Sequence, residues 1–167
     1  MINIQSLLAI GALSIFALIS VSFNSAFLEN STAEIENKVY LTAFSLADDV
    51  VEEVKQKAFD ESTATQLKVV ALTSLTLPTD FGPETGEFWP NFNDIDDYHG
   101  YSKSVSLPHA ENYTLQCSVS YFDPTNPNVP SSERTFYKKI NIKVSSPYMR
   151  SEVNIGFVFS LHSKLKG

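Results

Sequence analysis

The chain is poor in the residues that make several protein classes. It has one cysteine, Cys117, which excludes an intrachain disulfide framework and a four-cysteine zinc site. Six glycines and eight prolines in 167 residues exclude a collagen-like or linker-type chain. Neither residue occurs between Ala12 and Leu77. Basic residues are outnumbered, with 12 Lys and Arg against 19 Asp and Glu and a net charge of −7. That balance argues against non-specific nucleic-acid binding, which needs a basic surface to displace counterions. The three histidines, His99, His109 and His162, are scattered, and no HExxH, GxSxG, phosphate loop or GxGxxG occurs. Against these shortages stand 43% hydrophobic and 12% aromatic residues, too many for a disordered chain and enough for one folded domain.

Charge is unevenly placed. Residues 1–28 carry none, residues 29–133 carry 18 acidic and 5 basic side chains, and residues 134–167 carry 7 basic and 1 acidic. The uncharged run Leu7–Leu28, LLAIGALSIFALISVSFNSAFL, holds 22 residues. As a helix it measures about 33 Å, against a bilayer core of about 30 Å. Gly11, Ser14, Ser20 and Ser22 interrupt it, and such small residues let neighbouring membrane helices approach closely. A secretory signal is the rival reading, but no Lys or Arg precedes the run, the first basic residue being Lys38. The run therefore reads as a retained single-pass anchor, with the N-terminus inside and the bulk of the chain outside.

Beyond Leu28 the helical period continues. Ile35, Val39, Ala43, Leu46, Val50, Val54 and Ala58 recur every three or four residues as one apolar stripe. With no Pro or Gly to stop it, one helix is expected from about Ile4 to Phe59, roughly 80 Å long. Residues 62–77 are ambiguous between a short helix and a strand at Leu67–Leu72, and Pro78 ends them. Residues 78–101 hold three prolines and three glycines and read as a long structured loop, packed by its own Phe81, Phe88, Trp89, Phe92 and Tyr98.

Four strands are expected after the loop: Ser102–Leu107, Tyr113–Phe122, Thr135–Ser145 and Val153–Leu161. Their alternation means one buried face and one wet face, hence an antiparallel sheet. In the third, Phe136, Ile140, Ile142 and Val144 share a face with a break at Lys138. The connection DPTNPNVPSSE reads as turns. A sheet with one apolar face needs a cover, and the amphipathic half of the first helix is available for it. The expected fold is α+β: a long N-terminal helix packed on a four-stranded antiparallel sheet. Residues 1–28 form its membrane half, 29–60 its amphipathic half, and 61–167 an extracytoplasmic sheet domain carrying loop 78–101.

This pattern resembles type IV pilins and pseudopilins. Met1-Ile2-Asn3-Ile4-Gln5 is similar to a mature pilin start, although Gln5 stands where the family has Glu. Ala43–Glu61 (AFSLADDVVEEVKQKAFDE) and Phe92–Tyr101 (FNDIDDYHGY) are similar to stretches of the minor pilins of mannose-sensitive-haemagglutinin-type pili. A prepilin leader ending in Gly does not precede Met1, as expected for a processed chain or for one that no prepilin peptidase cuts. The resemblance implies a non-enzymatic structural subunit of a type IV pilus or a type II secretion-type pseudopilus. Its place would be the inner membrane, and its partners homologous subunits that meet it through the N-terminal helix. Met1, Ile4, Gln5, Leu8, Gly11, Phe16 and Leu18 would then carry subunit docking.

The alternative function is a membrane-tethered extracytoplasmic binding domain. It would use the loop surface 81–101, with Trp89, Asp94, Asp96, Asp97 and Tyr98 as the contact residues. Three aspartates in one loop also invite a Ca²⁺ reading, but the spacing of an EF-hand is absent. They are read as loop caps and surface charge, and no metal, cofactor or catalytic residue is expected. Cys117, on the apolar face of a strand, reads as a buried thiol.

Overall fold

The computed structural model describes residues 3–64, 71–107 and 110–164. Met1, residues 65–70 and His109 lie outside them. The chain divides into two compact units, Met1–Lys38 and Val39–Gly167. The helix α1 (Ile4–Lys55) supplies all the described structure of the first unit and the opening element of the second. It ends four residues earlier than its period implies, because residues 56–60 turn the chain into the sheet domain. Ala58 there forms a bridge with Asp94, and its N–H donates to the Asn93 carbonyl at 3.0 Å.

Within the second unit α1 buries Val39, Ala43, Ala47, Val50, Val51 and Val54. The spacing is three to four residues, so these side chains form one stripe. Its members are small, and Ala43 and Ala47 are fully buried, which lets the helix lie close on its cover. Ile35, which continues the stripe in sequence, is 59% exposed. Leu46 is half-buried, and Ala47 and Val51 take the places nearer the core.

The sheet is antiparallel and has five strands among the described residues, one more than expected. They are β1 (Ser102–Leu107), β2 (Ala110–Asp123), β3 (Asn126–Ser131), β4 (Tyr137–Ser145) and β5 (Val153–Ser160). The order is β1-β2-β4-β5, and β3 pairs with β2 at Tyr121–Asp123. β3 is the element that the turn-rich reading of 123–133 missed. It carries Pro127 and Pro130 and does not alternate, as an edge strand can. What makes it a strand is its hairpin with β2, started where Asp123 Oδ1 accepts the Thr125 N–H at 2.8 Å. Of residues 62–77, read as a short helix or a strand at Leu67–Leu72, Leu72–Ser74 form a 3₁₀ turn, and residues 65–70 lie outside the described residues.

Alternation elsewhere holds. Tyr113, Leu115, Cys117, Val119 and Tyr121 of β2 are buried, and so are Ile140, Ile142 and Val144 of β4. The β2–β4 register sets Cys117 opposite Ile142 and Tyr121 opposite Lys138. Two short helices, α2 (Glu61–Ala64) and α3 (Leu161–Lys164), and 3₁₀ turns at Pro78–Asp80 and Asp96–Tyr98 complete the described elements. Loop 78–101 lies against β2: the Gly100 N–H donates to the Cys117 carbonyl at 3.1 Å and the Cys117 N–H to the Tyr101 carbonyl at 2.9 Å. Phe81, Phe92, Tyr98 and Tyr101 pack inward from it, whereas Phe88 is 64% exposed.

Ile142, in the centre of the sheet with no solvent exposure, carries a test of this core. Ile142→Ala is expected to cost about 2–5 kcal/mol in denaturant unfolding. Ile35→Ala, on the exposed side of the unit boundary, is expected to change stability by less than about 0.5 kcal/mol.

Candidate functional site

Two features qualify, an exposed apolar helix surface and a buried polar cluster. In the first unit α1 exposes its apolar side chains all round. Ile4, Leu8, Phe16 and Leu18 are between 68% and 76% exposed, and Gln5 and Gly11 are exposed with them. From Leu7 to Leu28 the helix is long and apolar enough to cross a membrane. Two hydroxyls of this part of α1 are turned onto the backbone. Ser14 Oγ donates to the Ile10 carbonyl at 2.8 Å, and Thr32 Oγ1 to the Leu28 carbonyl at 2.9 Å. Such back-bonding satisfies a hydroxyl where no water is at hand. The space beside Gly11 is open, with no atom near the place of a Cβ. Six of the seven expected docking residues therefore share this exposed segment; Met1 is the one that lies outside the described residues.

The loop residues behave differently from expectation. Asp94, Asp96, Asp97 and Tyr98 are not a surface: each is at most 2% exposed. Of the five, only Trp89 reaches solvent, at 38%, with the Lys103 ammonium 4.0 Å from its ring centroid. Backbone donors and one buried cation draw the aspartates inward. Asp94 Oδ1 accepts the Asp96 and Asp97 N–H groups at 2.9 and 3.3 Å, capping the 3₁₀ turn Asp96–Tyr98. Asp97 Oδ2 accepts those of Asn93 and Asp94 at 2.9 and 3.1 Å. The Tyr98 hydroxyl donates to Glu53 Oε1 of α1 at 2.6 Å.

The cation is Lys138, with no exposure at all. Its ammonium donates to the Phe59 carbonyl at 2.8 Å, to Asp60 Oδ2 at 2.9 Å and to Asp96 Oδ1. All three of its protons are used. The rings of Phe59, Phe81 and Tyr121 surround it with centroids 4.9, 5.1 and 5.4 Å away. Asp60 in turn accepts the Ser62 and Thr76 N–H groups and the hydroxyls of Ser62 and Tyr121. Burial pushes the Asp60 carboxyl up, but the Lys138 charge and these hydrogen bonds outweigh it and hold it below its ordinary value. Asp94 goes the other way. Burial first, then the adjacent Asp96 carboxylate and its hydrogen bond, push it up to about 10. Its Oδ2, which no N–H or hydroxyl reaches, is the place for the retained proton.

Lys138 and Asp60 escaped the sequence reading of sites. The signal was the apparent break at Lys138, which is no break: Lys138 holds the same face as Ile140 and Ile142, pointing inward. The cluster is structural in character, because every proton of the lysine is committed and its side chain has no solvent exposure. Cys117 is buried, and burial followed by Glu53 pushes its thiol up to about 12, far from a reactive thiolate. On the outer face of the sheet an open groove of about 500 Å³ is lined by Gln116, Ser118, Asn141, Lys143 and Asn154. Its described lining has no histidine or carboxylate that would activate a serine. Comparison of the chain with protein-family models, with curated proteins and with solved structures finds no match.

Removing one member of a buried ion cluster strands the others. Lys138→Met is expected to destabilise the fold by about 3–5 kcal/mol in denaturant unfolding. Asp94 sets a pH dependence. Between its ordinary value of 3.8 and about 10, the folded chain holds a proton that the unfolded chain has released. Its contribution to stability therefore falls as pH rises through that window. Asp60 has the opposite sign, and its contribution is lost only in acid, as pH falls below the ordinary carboxylate range. Asp94→Asn is expected to flatten the alkaline decline of thermal stability and to leave the chain at least as stable as the parent at pH 8.

Proposed function

We propose that this chain is a non-enzymatic, pilin-like structural subunit, anchored by its N-terminal helix, that enters or primes a type IV pilus or a type II secretion-type pseudopilus. One observation carries the reading. A single helix, α1, is apolar on all sides before Leu28 and narrows after Lys38 to a buried stripe beneath an antiparallel sheet. A helix apolar all round needs apolar surroundings, either lipid or other helices of its kind. The first half fits both in turn, as an inner-membrane anchor with the sheet domain outside and later as part of a helix bundle in a filament core. Gly11 and the serines favour close approach of such helices. Gln5 stands in the docking position without a charge, so contact with a neighbour's amine there rests on hydrogen bonding.

The alternative of ligand capture by loop 81–101 has less support. The loop's aspartates and Tyr98 are buried, which leaves Trp89 and Phe88 as its exposed large side chains.

An aspartate at the centre of a membrane helix costs about 2.5–3.5 kcal/mol. Leu18→Asp is therefore expected to abolish recovery of the chain in membranes and in sheared filament fractions. Gln5→Ala is expected to leave membrane recovery unchanged and to lower filament incorporation. Normal incorporation of both variants, followed by immunoblotting, would sink the filament reading.

A further inference from the structure

One group of acidic side chains takes no part in the Lys138 cluster. A carboxylate oxygen from each of Glu84, Glu87 and Asp97 lies within 4.8 Å of the other two. The two glutamates are the ends of one turn, closed by the Glu87 N–H donating to the Glu84 carbonyl at 2.9 Å. Gly86 in that turn has φ +91°, a conformation that glycine accepts without strain. Asp97 comes from the neighbouring 3₁₀ turn and is 1% exposed. Its Oδ2 is taken by backbone N–H groups, but its Oδ1 is buried and has no hydrogen-bond donor. A buried carboxylate oxygen without a donor is costly and rare, and it marks a place where something unseen completes the bonding.

Among the described residues no Lys or Arg pairs with any of the three carboxylates. Such crowding is relieved by a shared proton or by a cation. Oxygens each about 2.4 Å from one Ca²⁺ can be no more than about 4.8 Å apart, which the three satisfy. Carboxylates on irregular loops suit the loose six- to eight-oxygen shell of Ca²⁺ better than the strict octahedron of Mg²⁺. We propose that Glu84, Glu87 and Asp97 form a Ca²⁺ site that ties the 84–87 turn to the 96–98 turn, the remaining positions being filled by water.

This grouping is not the one the sequence presents. Asp96 is paired with Lys138 and Asp94 with the N–H groups of the 96–98 turn, and only Asp97 is shared between the loop triplet and the site. The site does not depend on filament assembly, and its test is independent of it.

The full chain in detergent, freed of metal with EDTA, is titrated with CaCl₂ or MgCl₂ and followed by thermal unfolding and by equilibrium dialysis with radioactive calcium. One Ca²⁺ per chain and a rise in Tm of roughly 2–6 °C at millimolar Ca²⁺ are expected, with a smaller response to Mg²⁺. The double variant Glu84→Gln with Glu87→Gln changes side chains outside the core, so it is expected to fold and to lose both the bound Ca²⁺ and the Tm rise. No calcium bound by the parent chain, an equal response to Mg²⁺, or a calcium response that survives in the double variant overturns the proposal.

Discussion

A lysine ammonium held in the interior of the sheet domain organises much of what surrounds it. Lys138 has no access to solvent, and a charge so placed must be matched by acceptors or it unfolds its site. The acceptors come from separate segments: the carbonyl of Phe59 and the carboxylate of Asp60 just beyond α1, and the carboxylate of Asp96 in the long loop. One side chain on β4 thus fastens the exit of the helix and the loop to the sheet. The same requirement explains why an acidic loop folds inward. Asp96 is drawn in by the cation, and Asp94, buried beside Asp96, is pushed well above the ordinary carboxylate range.

The helix α1 presents two kinds of surface along one element. In Val39–Lys55 the contact with the core is a narrow stripe of Ala and Val, and the charged residues Asp48, Asp49 and Glu52 stay outside it. In Leu7–Leu28 no polar face exists, and every described large apolar side chain is more than half exposed. Apolar surface on that scale is stable only in an apolar medium. The chemistry of assembly that we propose follows from this contrast. The part of α1 that folds the domain and the part free to bury itself elsewhere use different residues, so changes in one need not disturb the other.

Local pattern was enough for the elements with a clean period. The uncharged run, the Ala and Val stripe and the alternation in β1, β2, β4 and β5 each describe a surface whose one side is apolar, and the spacing of the residues tells which side. Cys117 was legible as buried for the same reason. The edge strand β3 was not, because proline-rich residues have no period of their own and become a strand only through the backbone of β2.

The acidic loop was the larger surprise, and its cause is charge pairing across the fold. In the sequence Asp94, Asp96 and Asp97 look like solvated charge, since burying carboxylates is costly. Whether that cost is met depends on a lysine 42 positions beyond Asp96, brought opposite by the β2–β4 register. The same holds for Glu84 and Glu87, which meet Asp97 only because two turns fold side by side. Periodicity is a property of neighbouring residues and can be read along the chain. Partnership between distant charges is a property of distances in space, and those arise only once the sheet has set its register and the loop has closed over it.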